Sequence, residues 1–185
     1  AVEETDGIPT NNETVLHSLR VYAFVDGQPA GHFYTKDGLD VNNPSFLMHL
    51  TMYSTMTQKV DFYVVANEAA METPGSSVLL TENTTETQLN HFTFTKLNTS
   101  KGLPMFCKQT ETIDLTQLSD KTPADPGHAG HTLLRQDLTF ELKRPIGKLG
   151  VFAAKPVGEN SSLRVTGLTV LASGTRTRNY LMPQH

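Results

Sequence analysis

His128 and His131 stand three residues apart, a spacing that two metal-binding imidazoles can share, with Asp120 and Asp125 in the same stretch. A metal centre needs three or four ligands on a fixed frame. The segment carrying these side chains, Ser119 to His131, has two prolines and two glycines in thirteen residues, so it reads as a solvated loop. Asp137 and Glu141 fall on one face of a strand-like alternation, an arrangement from which glycosidase carboxylates could be drawn. A solvated strand face produces the same pair more often. Cys107 is the one cysteine. No local Lys, His and Asp arrangement is spaced to depress its pKa, and its apolar run Leu103-Pro-Met-Phe-Cys107 makes it a small buried hydrophobe.

The remaining histidines, His17, His32, His49, His91 and His185, share no spacing, and His17 and His49 lie on strand patterns as satisfied interior or surface residues. The sequence contains no Gly-x-Ser-x-Gly elbow, no Gly-rich phosphate loop and no His-Glu-x-x-His pair. No residue is therefore assigned a catalytic, cofactor-binding or metal role, and the chain reads as a non-enzyme that needs no cofactor. Four Asn-x-Ser/Thr sequons, at Asn12, Asn83, Asn98 and Asn160, serve only as markers of exposure in a Thr- and Asn-rich chain.

Scattered side chains of this kind must be held by short strands. Val15, Leu19, Val21, Ala23 and Val25 repeat with the period of a strand, and Asp26-Gly27 follows as a turn. Phe46, Met48, Leu50 and Met52 alternate with His49 and Thr51 and predict another strand. Val60, Phe62, Val64 and Ala66 face one way and Tyr63 and Val65 the other, as in a central strand covered on both sides. Pro74 to Ser77 breaks the chain, and Thr81 to Leu89 predicts one short helix capped by Thr81 or Asn83. Further strands are expected at Phe92 to Thr95, Lys108 to Leu115, Leu133 to Lys143, Lys148 to Ala153 and Leu163 to Leu171. Short strands punctuated by turns, without regular helices between them, favour a mainly β sandwich.

The chain has 185 residues, 37% of them hydrophobic and 18% charged. That length suits one domain with a core of its own, expected over residues 15 to 183, with residues 1 to 14 as a flexible leader or linker. A formal charge of -4 argues against a phosphate-binding surface, so nucleic acid is excluded as a partner. No apolar run approaches the roughly 20 residues that cross a bilayer. The start Ala1-Val2-Glu3-Glu4 lacks the regions of a signal peptide, leaving either a chain that is not exported or one already processed.

Several segments, in order, resemble the N-terminal domain of fimbrillins, the pilus subunits and anchors of Bacteroides-type bacteria. Leu19-Arg-Val-Tyr-Ala-Phe-Val-Asp-Gly27 is similar to that domain's opening strand and turn. Val60-Asp-Phe-Tyr-Val-Val-Ala-Asn67 with Glu68-Ala-Ala-Met71 resembles the family strand that ends in Ala-Asn before a helical stretch. Gly102-Leu-Pro-Met-Phe106 with Glu111-Thr-Ile-Asp-Leu115 is similar to a Pro-Met segment before a strand. Leu138 to Arg144 with Gly147 to Val151 resembles a strand, an Arg and a second strand. Leu163 to Val170 closing on Asn179-Tyr-Leu-Met-Pro183 looks like the last strand and the exit from the domain.

The resemblance implies a seven-stranded, transthyretin-like Greek-key sandwich with one or two short helices, export as a lipoprotein, and a place at the bacterial outer-membrane surface or in the fimbrium. It also implies assembly with other fimbrial subunits by β-strand exchange. Membrane attachment would come only through a lipid anchor outside this chain. Fimbrillins carry a second sandwich and a C-terminal donor strand beyond this point, so the chain is expected to be one domain of a longer protein or a short accessory member. Family subunits mature by cleavage after an early Arg. Arg20 lies inside a predicted strand, so that site is not carried over.

The first strand, Val15 to Val25, is the expected removable element. The leading function is a non-enzymatic subunit, anchor or tip component of a surface fimbria, with adhesion as a further role. The alternative is a surface lipoprotein that binds glycan or a host protein through a sandwich face, and an enzyme ranks last. An open strand groove would favour assembly, exposed aromatics clustered on one face would favour glycan binding, and a pocket with opposed carboxylates would favour an enzyme.

Overall fold

The computed structural model describes residues 15–36, 39, 44–54, 56–73, 79–117, 121–122, 133–146, 169 and 178–182. Among these the fold is mainly β, with antiparallel ladders and a few short helical turns. The main sheet has four strands in the order β2-β1-β3-β7: β1 Leu19–Val25, β2 Gln28–Thr35, β3 Thr57–Ala66 and β7 Met105–Asp114. Three separate two-stranded pairs are also present among the described residues. Met71–Glu72 (β4) pairs with Lys96–Leu97 (β6), Asn179–Tyr180 (β10) with Thr93–Phe94 (β5), and Lys121–Thr122 (β8) with Leu133–Leu134 (β9).

The hairpin β1-β2 turns on Asp26 and Gly27, both at positive φ (49° and 76°), as the primed turn matching strand twist requires. The sequence pattern does not announce β2, because Pro29 and Gly31 break its propensity. Both are accommodated on an edge strand. Pro29 needs no ladder N–H there, and the register slips between Ala23 and Phe24 so that Ala30 is passed over. A Cβ on Gly31 would sit 2.8 Å from the His49 carbonyl, so only glycine lets that chain cross so closely.

β3 pairs with β1 along six positions and with β7 along ten, which makes it the doubly covered central strand that its pattern predicts. β1 is central as well: all seven residues are buried between two ladders. Leu19, Val21, Ala23, Val25, Val60, Phe62, Val64 and Cys107 form the core on one face. Tyr22, Phe24, Tyr63, Val65, Phe106, Leu80, Leu89, Leu181 and Met182 form it on the other.

The expected helix exists as α1, Glu86–Asn90. Its cap is Thr85 rather than Thr81 or Asn83: the Thr85 hydroxyl accepts from Gln88 N–H while Gln88 Oε1 accepts from Thr85 N–H. A Thr with Gln three residues on closes both free donors, which neither earlier residue can do. Thr81 instead closes a turn with Thr84.

Two predicted strands take a different form. Residues 44–54 and 135–142 join no ladder, yet their side chains alternate as the sequence foretells. Phe46, Met48, Leu50 and Met52 are half-buried against the first core face, as are Leu138, Phe140 and Leu142. The intervening residues are exposed. For 44–54 the reason lies in the β2 edge, which offers a proline and a bulge where a regular ladder would need successive donors. Only Thr51 N–H reaches it in a main-chain bond among the described residues, to the Ala30 carbonyl at 2.6 Å. The expected strand at Phe92 to Thr95 shortens to β5, β7 begins three residues before Lys108, and β8 lies inside the segment expected to be loop throughout. The expectations at 1 to 14, Pro74 to Ser77, Lys148 to Ala153 and, apart from Thr169, Leu163 to Leu171 lie outside the described residues.

Candidate functional site

The two unladdered segments stand on either side of a cleft of about 520 Å³ over the first core face, lined by apolar and polar side chains together. Its floor is Leu19, Phe62 and Val64, with Leu16 at one end. One wall is Pro44 to Met48 with Leu50, and the other is Arg135 to Phe140 with Leu142. That volume falls within the range of about 300–1,000 Å³ usual for binding clefts.

Few bonds position the walls. Gln58 Oε1 accepts from the N–H of Tyr53 (2.6 Å) and Ser54 (3.1 Å), and Phe33 stacks on Phe46 with centroids 4.7 Å apart. Across the cleft, Gln109 Nε2 donates to the Thr139 carbonyl at 3.2 Å, Phe140 packs on Phe62, and Phe106 and Lys143 exchange two main-chain bonds of 2.8 Å. Chemically the cleft offers apolar pockets at every second position, flanked by chain segments outside any ladder.

A polar cluster lies on the opposite face. Arg20 is 7% exposed within β1. Its Nε and Nη2 donate to the two carboxylate oxygens of Glu68 (2.6 and 2.8 Å), and its Nη1 lies 3.0 Å from His32 Nε2. The Tyr34 ring stands 3.9 Å from the guanidinium carbon. Burial pulls the Arg20 pKa down, but the Glu68 hydrogen bonds and charge outweigh it and hold the group above its ordinary value. Burial and the Arg20 charge depress His32. The signal in the sequence is a single Arg in an otherwise apolar strand together with Glu68 directly after the β3 strand and Asn67; it does not reveal that β1 and β3 bring the two side by side.

Asn67, at positive φ and 1% exposed, joins three segments. Its Oδ1 accepts from His17 N–H (2.7 Å), and its Nδ2 donates to the carbonyls of Val15 and Leu103 (both 2.9 Å).

Among the described residues, the chemistry-bearing side chains singled out by sequence remain apart. Cys107 is buried in β7 with its thiol pushed up by burial, as a small hydrophobe should be. Asp137 and Glu141 are both exposed, and Asp137 pairs with Arg135 at 2.9 Å. His17, His49 and His91 are exposed, with His91 Nδ1 2.9 Å from the Thr87 carbonyl. Asp120, Asp125, His128, His131 and His185 lie outside the described residues, as do Asn12 and Asn160. Asn83 is exposed as its sequon implies, whereas Asn98 is half-buried and donates its Nδ2 to Glu72 at 3.0 Å, so it is no marker of exposure. Among the described residues no three His, Cys, Asp or Glu converge as metal ligands, and no helix is long and apolar enough to cross a membrane.

The fold and the cleft thus define a mainly β, antiparallel module with a groove over one core face. No protein-family model matches the chain, and no curated protein matches it. Among solved structures it is similar to a fimbrial assembly protein from Parabacteroides distasonis ATCC 8503. The identity is 20% and the TM-score 0.38, over 60% of this chain and 45% of that one. The match spans less than half of that protein's length.

Proposed function

We propose that this chain is a non-enzymatic structural component of a bacterial cell-surface fimbria, a subunit, anchor or tip, that joins other subunits through an extended strand laid into the cleft. In this reading residues 15 to 183 form one seven-stranded, transthyretin-like sandwich, exported and held at the outer membrane through an anchor outside this chain. The observation that carries it is the cleft of about 520 Å³ between two extended segments. A donor strand inserted there would place alternate side chains on Leu19, Phe62 and Val64 and offer its backbone to both walls at once. The five ordered motifs supply the fimbrial context.

One element of the expectation changes. β1 is paired on both sides and buried at all seven positions, so removing it would divide the sheet and strand Glu68 without Arg20. It is not the removable strand. Arg20, inside that strand, is likewise out of reach of a protease. The glycan-binding alternative draws little support from the exposed aromatics, because Tyr34, Tyr53 and Tyr180 sit on three separate elements.

The test is incorporation. In the producing bacterium, the chain should be present in fimbriae sheared from the surface, and Leu47→Arg, which puts a charge on an exposed side chain of a cleft wall, should be lost from them while its unfolding midpoint stays near wild type. Absence of the wild-type chain from sheared fimbriae, or normal incorporation of a folded Leu47→Arg variant, would refute the proposal.

A further inference from the structure

Beside the main-chain ladder between β1 and the edge strand β2, a side-chain contact links the two strands. Arg20 spends two of its donors on Glu68 and points Nη1 at His32 Nε2, 3.0 Å away. A guanidinium has no acceptor and stays charged, so His32 Nε2 must accept, which requires a neutral ring with its proton on Nδ1. Cross-strand pairing sets this geometry, with Arg20 opposite Tyr34 and Tyr22 opposite His32. The Tyr22 and His32 rings lie 5.1 Å apart.

We propose that Arg20, Glu68 and His32 form an acid-released latch that keeps the edge strand β2 docked on β1. Protonating His32 turns its Nε2 into a donor, breaks the bond to Arg20 and sets two cations 3.0 Å apart. The groups around the ring do not offset this. From β1 come Arg20 and Tyr22, from β2 Tyr34, from the turn after β3 Glu68, from the segment 44–54 His49, and from the loop before α1 Glu82. Glu68 is already engaged by Arg20, and Glu82 is exposed to solvent, where its attraction is weak.

The direction in pH follows. Burial and then Arg20 place the folded His32 below its ordinary value of 6.5, so above that pH both states are neutral and the latch contributes fully. As pH falls below 6.5 the opened chain takes up the proton first and stability is lost, until the folded ring protonates as well. The loss reaches the other face of β2, because Phe33, next to His32, stacks on Phe46 in the cleft wall.

The experiment is an NMR titration of the full chain with amide exchange at pH 7.5 and 5.5, corrected for intrinsic rates. His32 should be the Nδ1–H tautomer at pH 7.5 with a midpoint below 6.5. Opening of β2 should rise by up to about tenfold per pH unit within the window, relative to β7. His32→Gln keeps an acceptor for Arg20 but does not titrate, and should remove that rise, whereas His49→Gln should leave it intact. A His32 midpoint at or above 6.5, equal opening of β2 and β7, or an unchanged acid response in His32→Gln would each overturn the latch.

Discussion

The two faces of the four-stranded sheet are covered in opposite ways. On the Tyr22 face the lid is anchored by directed bonds: Tyr22 donates to the Thr81 carbonyl at 2.7 Å, Tyr63 to Glu86 at 2.8 Å, and α1 is fixed by its capping box. Burial, reinforced by the Glu86 carboxylate, drives the Tyr63 phenol well above its ordinary range, so it stays a donor at any physiological pH. On the Phe62 face the cover is two extended segments that meet the sheet through alternate apolar side chains and few main-chain bonds, and a cleft remains between them. The difference separates rigidity from receptivity: the face closed by hydrogen-bonded aromatics keeps a pocket of about 270 Å³ beside β2, and the face walled by unladdered chain keeps the cleft of about 520 Å³.

The largest effect that could break this contrast is in packing. Phe24, 2% exposed on the closed face, should cost about 3–5 kcal/mol on truncation to Ala. Phe140, half-buried in a cleft wall, should cost well under half as much, because part of its surface already meets solvent. Urea unfolding of both variants measures this, and equal losses would mean the two faces are equally closed. Next comes Asn67→Ala. It strands the N–H of His17 and the carbonyls of Val15 and Leu103 and leaves a Cβ-bearing residue without the Asn tolerance of positive φ. A loss of about 2–4 kcal/mol is expected by the same assay, and Asn67→Asp should recover little, since a carboxylate cannot donate to those carbonyls.

Capping gives the third effect. Thr85→Ala removes one half of the capping box and should cost about 1 kcal/mol, felt as faster amide exchange through α1 with no change in segment 135–142. If both faces loosened together, the lids would be coupled rather than independent.

Much of the sheet was legible because period two survives in β1, β3 and β7, where Val, Ile, Phe and Tyr meet core on one or both sides. Alternation also placed the correct side chains of 44–54 and 135–142 against the core. It could not say whether their backbones were paired, since a side-chain pattern reports burial and not ladder bonds. β2 was illegible for the opposite reason: its strand is imposed by the Asp26-Gly27 turn and the β1 edge, against the local preference of Pro29 and Gly31. The Arg20 cluster needed β1 and β3 in register before Glu68 could be seen beside it, 48 residues away in sequence.

The smallest expected effect tests the receptive face most directly. Leu47 is 67% exposed between Phe46 and Met48, whose side chains pack on the core. If the segment is held only by its alternate inward residues, Leu47→Ser changes nothing that folding buries and should shift stability by under about 0.5 kcal/mol. Met48→Ser, one residue on, removes a core contact and should cost measurably more. Leu47 nonetheless lines the cleft, so the same substitution should weaken any partner that rests on the rim. A large stability loss for Leu47→Ser would mean that this wall is closed in the free chain, and the contrast between the faces would then collapse.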